Sequence, residues 1–208
     1  MALPKPDART RDRTATEQAI LSAARQLLAD EGFPSFGVNA IARQAGCDKQ
    51  LIYRYFGGLE GLAEAIGAEL ADELSAALAR LSSLPPPATY GALMRHLALG
   101  LLDLLRGDRL MQQITAWENA APGPLVTRLI AARARRMALW MQETRGSLAP
   151  PEGVDAPALN ALIFAAIQHL VVAGGANGVF SGLPLDSETD WKRVRAALSA
   201  MIAAVYDA

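Results

Sequence analysis

Residues 41–56, Ile-Ala-Arg-Gln-Ala-Gly-Cys-Asp-Lys-Gln-Leu-Ile-Tyr-Arg-Tyr-Phe, decide how this chain folds. They read as two short helices joined by a tight turn. Gly46 supplies the positive φ that a sharp turn between packed helices needs. Ala42 keeps the first helix thin enough for the second to cross it closely, and the Asp48 carboxylate is placed to cap the second. Ile41, Ala45, Cys47 and Ile52 form a small shared core, which leaves Lys49, Gln50, Tyr53 and Arg54 facing outward. A helix held at a fixed angle and presenting those side chains suits the DNA major groove. The stretch spells a helix-turn-helix.

Outward from this motif, hydrophobic spacing predicts helices alone. A first helix from about Thr14 or Thr16 carries Ile20, Ala23, Ala24, Leu27 and Leu28 at a 3.6-residue period, with Thr14 and Glu17 at capping-box spacing. Gly32 ends it, and Phe33 packs behind. After Gly57-Gly58 a long helix over about 60–82 carries Leu62, Ile66, Leu70, Leu74, Leu78 and Leu81 on one face. Leu84-Pro85-Pro86-Pro87 is a linker. Further helices are expected at about 89–106, 108–119, 124–147, 156–176 and 187–206, separated by glycine- and proline-rich breaks. Ser187 and Asp190 suit the N-terminus of the last. No segment alternates as a sustained strand. The expected fold is all-α: a flexible basic arm over 1–13, a three-helix helix-turn-helix domain over 14–58, and a larger helical domain over 59–208.

Bulk properties narrow the classes. Of 208 residues, 51% are hydrophobic and 6% aromatic, and the net charge of −1 argues against a protein that coats nucleic acid along its whole surface. The basic character is local: Lys5, Arg9, Arg11 and Arg13 precede the first helix, placed to follow a phosphate backbone or to solubilise the terminus. A single cysteine excludes an internal disulfide framework and fits a reducing, cytoplasmic compartment. The polar N-terminus has no signal-peptide core. Ala156 to Leu185 contains no Asp, Glu, Lys or Arg, and a membrane span needs roughly 20 apolar residues. Gln168-His169, Gly174-Gly175 and Asn177 interrupt that run, so it reads as a helix buried by its own core and by a partner subunit.

Ile20-Leu21, Ala23-Ala24, Leu27-Leu28, Glu31-Gly32-Phe33, Val38, Ile41-Ala42, Ala45-Gly46 and Tyr53-Arg54-Tyr55-Phe56, followed by Glu60 and Leu62, resemble the N-terminal domain of tetracycline-repressor (TetR) family regulators. The resemblance covers about residues 16–65. It implies an all-helical homodimer that reads two half-sites of a palindromic operator, and a C-terminal domain that binds a small molecule lowering DNA affinity. By position, Lys49, Gln50 and Leu51 open the recognition helix. Tyr53 and Tyr55 match rings that contact the phosphate backbone, with Arg54 between them; partial packing of either ring on the first helix is the competing reading. With Arg11 and Arg13 of the arm, these make the candidate DNA-binding set. The chain departs from the family at Leu59, where a lysine is common, at Gln50, where glycine is common, and at Phe36-Gly37, where Thr or Ser commonly opens the second helix. The arm's arginines are expected to compensate.

The resemblance also places an effector pocket among the helices from about 89 to 180. Leu97, Leu101, Leu104, Trp117 and Phe164 would be walls, and Asn119, Gln168 and His169 polar anchors, against the plainer reading of Met and aromatic residues as core. Such a pocket suits a small apolar or amphipathic effector. Arg128, Arg133, Arg135 and Arg136 read as a solvated face. Dimerisation should use Ala161, Ala165, Ala166, Leu170 and Gly174 with Leu198, Met201, Ile202 and Val205. The expected function is a ligand-responsive transcriptional repressor without cofactor or metal. An effector-independent architectural DNA-binding dimer is the alternative. An enzyme ranks last: His96 and His169 lie far apart, Cys47 falls in the motif's core, and no nucleophile–base pair, metal spacing or phosphate loop is visible.

Overall fold

A computed structural model describes residues 8–81 and 87–207, the side chains of 8–12 and of Leu81 excepted. Nine α-helices occur among them: α1 (Ala8–Glu31), α2 (Val38–Ala45), α3 (Lys49–Phe56), α4 (Leu59–Leu81), α5 (Tyr90–Gly107), α6 (Arg109–Ala120), α7 (Pro124–Arg145), α8 (Ala156–Asn177) and α9 (Glu188–Tyr206). A 3-10 turn spans Phe33–Ser35. The fold is all-α, as expected, save for a hairpin of two-residue strands, β1 (Val179–Phe180) and β2 (Leu183–Pro184). Ser181 and Gly182 turn it with φ of 48° and 77°, the two positive values that a tight hairpin turn favours. A two-residue strand is too short to leave a period in the sequence.

α1 starts at Ala8, ahead of the expected Thr14–Thr16 start. Thr14 and Glu17 therefore lie inside the helix, and Glu17 pairs with Arg13 at 2.8 Å, one turn away. Lys5 of the expected arm lies outside the described residues, as do the side chains of Arg9 and Arg11. The linker expected over Leu84–Pro87 is outside them too, except for Pro87.

The chain forms two compact units, one from residues up to Leu70 with Trp117–Arg135, the other from Ala71–Ala116 with Arg136 onward. In the first, α1 lies on α2, and α2 on α3. Ile20, Leu28, Ile41, Ile52, Leu62, Ile66 and Leu129 are fully buried, each worth about 1.5–3 kcal/mol of transfer free energy. Two glycines allow backbones to meet. A Cβ at Gly61 would stand 1.8 Å from the Phe56 carbonyl oxygen, and one at Gly67 2.2 Å from that of Leu129. Glu118 is almost wholly buried and takes both guanidinium nitrogens of Arg133, at 2.6 and 2.7 Å. Of the solvated arginine face expected on α7, Arg128, Arg135 and Arg136 are exposed and only Arg133 is corrected. Arg133 serves a buried carboxylate, Arg128 pairs with Glu60 and Glu64, and in the second unit Arg136 pairs with Asp72.

In the second unit α5 packs against α8 and α9. Met94, Ala98, Leu102, Ile163, Ile167, Trp191, Leu198, Ile202 and Tyr206 share one core. Asn160 ties the three helices: its amide donates to Tyr90 Oη and its carbonyl accepts from Tyr206 Oη, both at 2.8 Å. The two tyrosine rings meet edge to face at 5.2 Å. Trp191 donates its indole N–H to Leu185 O at 3.0 Å and lies over Gly174, where a Cβ would be 2.9 Å from the ring. Ser187 and Asp190 cap α9 in a reciprocal capping box, as their positions suggested.

Candidate nucleic-acid interface and ligand cavities

The helix-turn-helix is set by three local devices. Gly46 ends α2 in the left-handed region at φ 65°, and its N–H reaches back to Ala42 O and Arg43 O. Asp48 then caps α3, its carboxylate accepting from Gln50 N at 2.8 Å. Gly57 ends α3 at φ 74°. Ile52 is the buried residue of α3, pinned into the unit's core. α2 itself starts at Gly37 with no side-chain cap, while Phe36 is buried and meets Phe33 with ring centroids 6.1 Å apart. The departure noted at Phe36-Gly37 is therefore an exchange of a polar cap for an apolar plug.

The residues expected to face DNA mostly share one surface. Lys49, Gln50 and Arg54 are exposed, and Tyr53 keeps 56% of its surface despite resting beside Gly58. Leu51 and Tyr55 are half-buried. Tyr55 lies between two cations: the Arg13 guanidinium carbon is 5.3 Å from its ring centre and that of Arg54 is 5.9 Å. Such contacts are worth roughly 0.5–1 kcal/mol at exposed sites. Arg13, expected in a flexible arm, lies within α1 with its guanidinium near the recognition helix. Arg43 and Gln44, on the outer side of α2, are exposed as well and were not singled out from sequence. Cys47 is half-buried, and burial, reinforced by the Asp48 charge, pushes its thiol above the usual range. That disfavours the reactive thiolate.

The expected ligand contacts do not come together as one set. Leu97 and Leu101 are buried in separate apolar clusters of the second unit. Phe164 and Gln168 are half-buried there. His169 is exposed on α8, its ring 4.7 Å from that of Phe180 on the hairpin. Trp117 and Asn119 belong to the first unit, and the Trp117 ring covers Gly32, where an added Cβ would fall 2.4 Å from it. Two cavities in the second unit draw on other residues, apart from the expected wall residue Leu104, which lines the smaller one. The larger, about 450 Å³, opens between the end of α5, the start of α6 and the last turns of α8, with Arg106, Arg109, Gln112 and Gln113 on its wall. The smaller, about 300 Å³, is lined by Glu73, Arg80, Leu104, Asp108 and Met111 among others. Sequence spacing could not reveal the first, because it forms where three helix ends converge.

Part of the expected dimer face is also corrected. Leu198 and Ile202 are buried in the second unit's own core, because α9 turns that stripe toward α5. Of the expected face, Ala161, Ala165 and Ala166 on α8 and Met201 on α9 are exposed, beside Leu162, His169, Ala197, Ala200 and Ala204, while Leu170, Gly174 and Val205 are half-buried. α8 is long and apolar enough to cross a membrane by length and composition, yet only 28% of its most apolar window is buried within the chain. Among the described residues no cluster of three or more His, Cys, Asp or Glu is arranged to hold a metal ion.

Comparison with known proteins agrees with this geometry. Residues 20–66 match the sequence model of bacterial regulatory proteins of the tetR family. No curated protein matches the chain. Among solved structures, a TetR-family transcription regulator from Marinobacter aquaeolei VT8 is 23% identical, with 95% of this chain and 98% of that one covered at a TM-score of 0.60. The regulator FadR from Bacillus subtilis, solved with stearoyl-CoA, is 19% identical over 89% and 96% of the two chains, at a TM-score of 0.61. Salmonella enterica GusR is 18% identical over 93% and 96%, at 0.65. At these identities the likeness is one of fold. The helix-turn-helix thus lies within the segment, residues 20–66, that is similar to bacterial regulatory proteins of the tetR family.

Proposed function

We propose that this protein is a homodimeric, cytoplasmic repressor that leaves a palindromic operator when a small apolar or amphipathic effector binds its larger domain. The observation that carries the DNA half of this reading is the display on α3: Lys49, Gln50, Tyr53 and Arg54 stand exposed on a helix fixed by Gly46, Asp48 and Ile52. Lys49 or Arg54 can donate to guanine O6 and N7, and Gln50 can pair with adenine, each good contact discriminating by about 1–3 kcal/mol. Leu51 supports apolar contact with a thymine methyl. Tyr53 and Tyr55, with Arg11 and Arg13, serve the phosphates.

The dimer reading is supported by the exposed apolar residues of α8 and α9, which are costly to leave in water. Effector response is supported by the cavities of the second unit, and by the stearoyl-CoA bound in the FadR relative. Leu97, Leu101, Phe164, Gln168 and His169 stay as proposed effector contacts within the second unit; Trp117 and Asn119, which belong to the first, are not joined to them. The proposed switch is a tilt of α4 that changes the separation of two recognition helices, so that they no longer fit grooves about 34–36 Å apart.

Genomic fragments selected by the purified protein and then titrated by fluorescence anisotropy test this reading. A shared inverted repeat, bound at nanomolar concentration and released by a small molecule, is the expected result. Binding without sequence preference would instead favour an architectural role. Truncating residues 1–13 should weaken operator affinity and flatten its salt slope; an unchanged slope would remove the basic segment from the interface.

A further inference from the structure

The 450 Å³ cavity of the second unit has a chemistry that the sequence did not suggest. Its wall carries Arg106 and Arg109 and includes no acidic residue, and α8, which forms one side, has no charged residue over its whole length. The two arginines differ. Arg106 is held in place: it pairs with Glu188 and its guanidinium lies 4.6 Å over the Trp191 ring. Arg109 is exposed and, among the described residues, makes no ion pair. The cavity therefore presents one fixed, balanced guanidinium and one whose charge is not neutralised.

The rest of the wall fits an amphipathic anion. Gln112 donates its amide to Leu105 O at 2.7 Å and to Arg106 O at 3.2 Å, which locks it across the α5–α6 junction. Ala116, Val172 and Ala176 supply small apolar surface on the rest of the wall. The volume lies within the roughly 300–1,000 Å³ of small-molecule sites. The second cavity, by contrast, carries Glu73 and Asp108 beside Arg80 and offers an anion no net attraction.

We infer that the cavity between the ends of α5 and α8 and the start of α6 binds a small amphipathic carboxylate, its head on Arg109 and Arg106 and its body on Ala116, Val172 and Ala176. This rests on the reading of the chain as effector-responsive, and it names the effector's charge. Arg109 is the selecting residue, because a guanidinium meets a carboxylate through two parallel hydrogen bonds that an alcohol or amine cannot return.

Calorimetric titration of the full-length protein without DNA, using octanoate and 3-phenylpropanoate, tests the site, with octan-1-ol and octylamine as controls. At least one acid should bind below about 1 mM, roughly tenfold or more tighter than either control. Arg109→Gln should remove that preference, and Arg109→Lys should restore part of it. The exposed position of Arg109 leaves folding intact, and circular dichroism checks this. Binding of neither acid, equal binding of acid and alcohol, or an unchanged preference in Arg109→Gln would overturn the assignment. A second arm adds the acids to the protein bound to its selected operator. Arg109-dependent binding that leaves DNA bound keeps the site and rejects its role as effector site. Release by other compounds, with neither acid bound, rejects the site and keeps the regulator.

Discussion

α3 and α8 both turn a face outward, and the two faces are chemical opposites. α3 has eight residues, one buried anchor in Ile52, and a display of Lys, Gln, Tyr and Arg. α8 has 22 residues and no charge; beside a buried stripe of Ile163, Ile167 and Val171 it leaves Leu162 67% exposed, along with Ala161, Ala165 and Ala166. A polar, cationic face loses little in water and gains against a polyanion, so it suits a partner that comes and goes. An apolar face is costly in water at about 25 cal/mol per Å², so it suits a partner that stays. The difference supports the proposal of reversible DNA binding for one helix and lasting self-association for the other.

The substitution expected to act most strongly is Leu162→Glu. Covered by a second copy, the new carboxylate would be buried without a partner, a loss of about 3–5 kcal/mol, while in a lone chain it would sit in water. Sedimentation should show a monomer with native helicity. A dimer of unchanged strength would dissolve the contrast between the two helices. On the α3 side, Lys49→Ala and Arg54→Ala should each cost about 1–3 kcal/mol of operator binding, with dimer mass and melting temperature unchanged. Operator affinity within twofold of the parent would remove α3 from the groove.

Asn160 sharpens the comparison from inside α8. It lies two residues from Leu162 but faces Tyr90 and Tyr206. Asn160→Ala leaves two tyrosine hydroxyls unsatisfied, at about 1–3 kcal/mol. It should lower the denaturation midpoint without changing the dimer constant, the reverse of the Leu162→Glu pattern.

The smallest effect concerns acid. The Ser187 hydroxyl and backbone hold the Asp190 carboxyl below its usual range, and Arg106 does the same for Glu188. A depressed folded-state pKa adds stability above the unfolded value and loses it as pH falls through the folded one. Ser187→Ala should move the Asp190 titration, followed by NMR, up toward the ordinary carboxylate value and make α9 fray earlier on acidification. An unmoved titration would show that the capping box does not form in solution.

Legibility followed the same divide. Gly46, Asp48 and Ile52 could be placed from sequence because turn, cap and anchor each demand a residue type at a fixed offset. The helix spans from α2 onward were readable for a similar reason, through apolar period and glycine or proline breaks. Leu198 and Ile202 were misassigned to the dimer face because an apolar stripe looks the same whether its own chain or a partner covers it. Arg133 was taken for a solvated residue because its partner, Glu118, lies on another helix, and no local pattern records that pairing. Gly61 and Gly67 gave no signal either: their need arises from backbones that approach in space. The arginine-walled cavity is of the same kind, assembled from three helix ends.

The most direct test of the account is the mass, by analytical ultracentrifugation, of the protein bound to its selected inverted-repeat duplex. The account predicts two chains per duplex for the parent, with the two-chain complex lost in Leu162→Glu and weakened, but still two-chain, in Lys49→Ala. One chain per duplex at full affinity, or a two-chain complex undisturbed by Leu162→Glu, would contradict it.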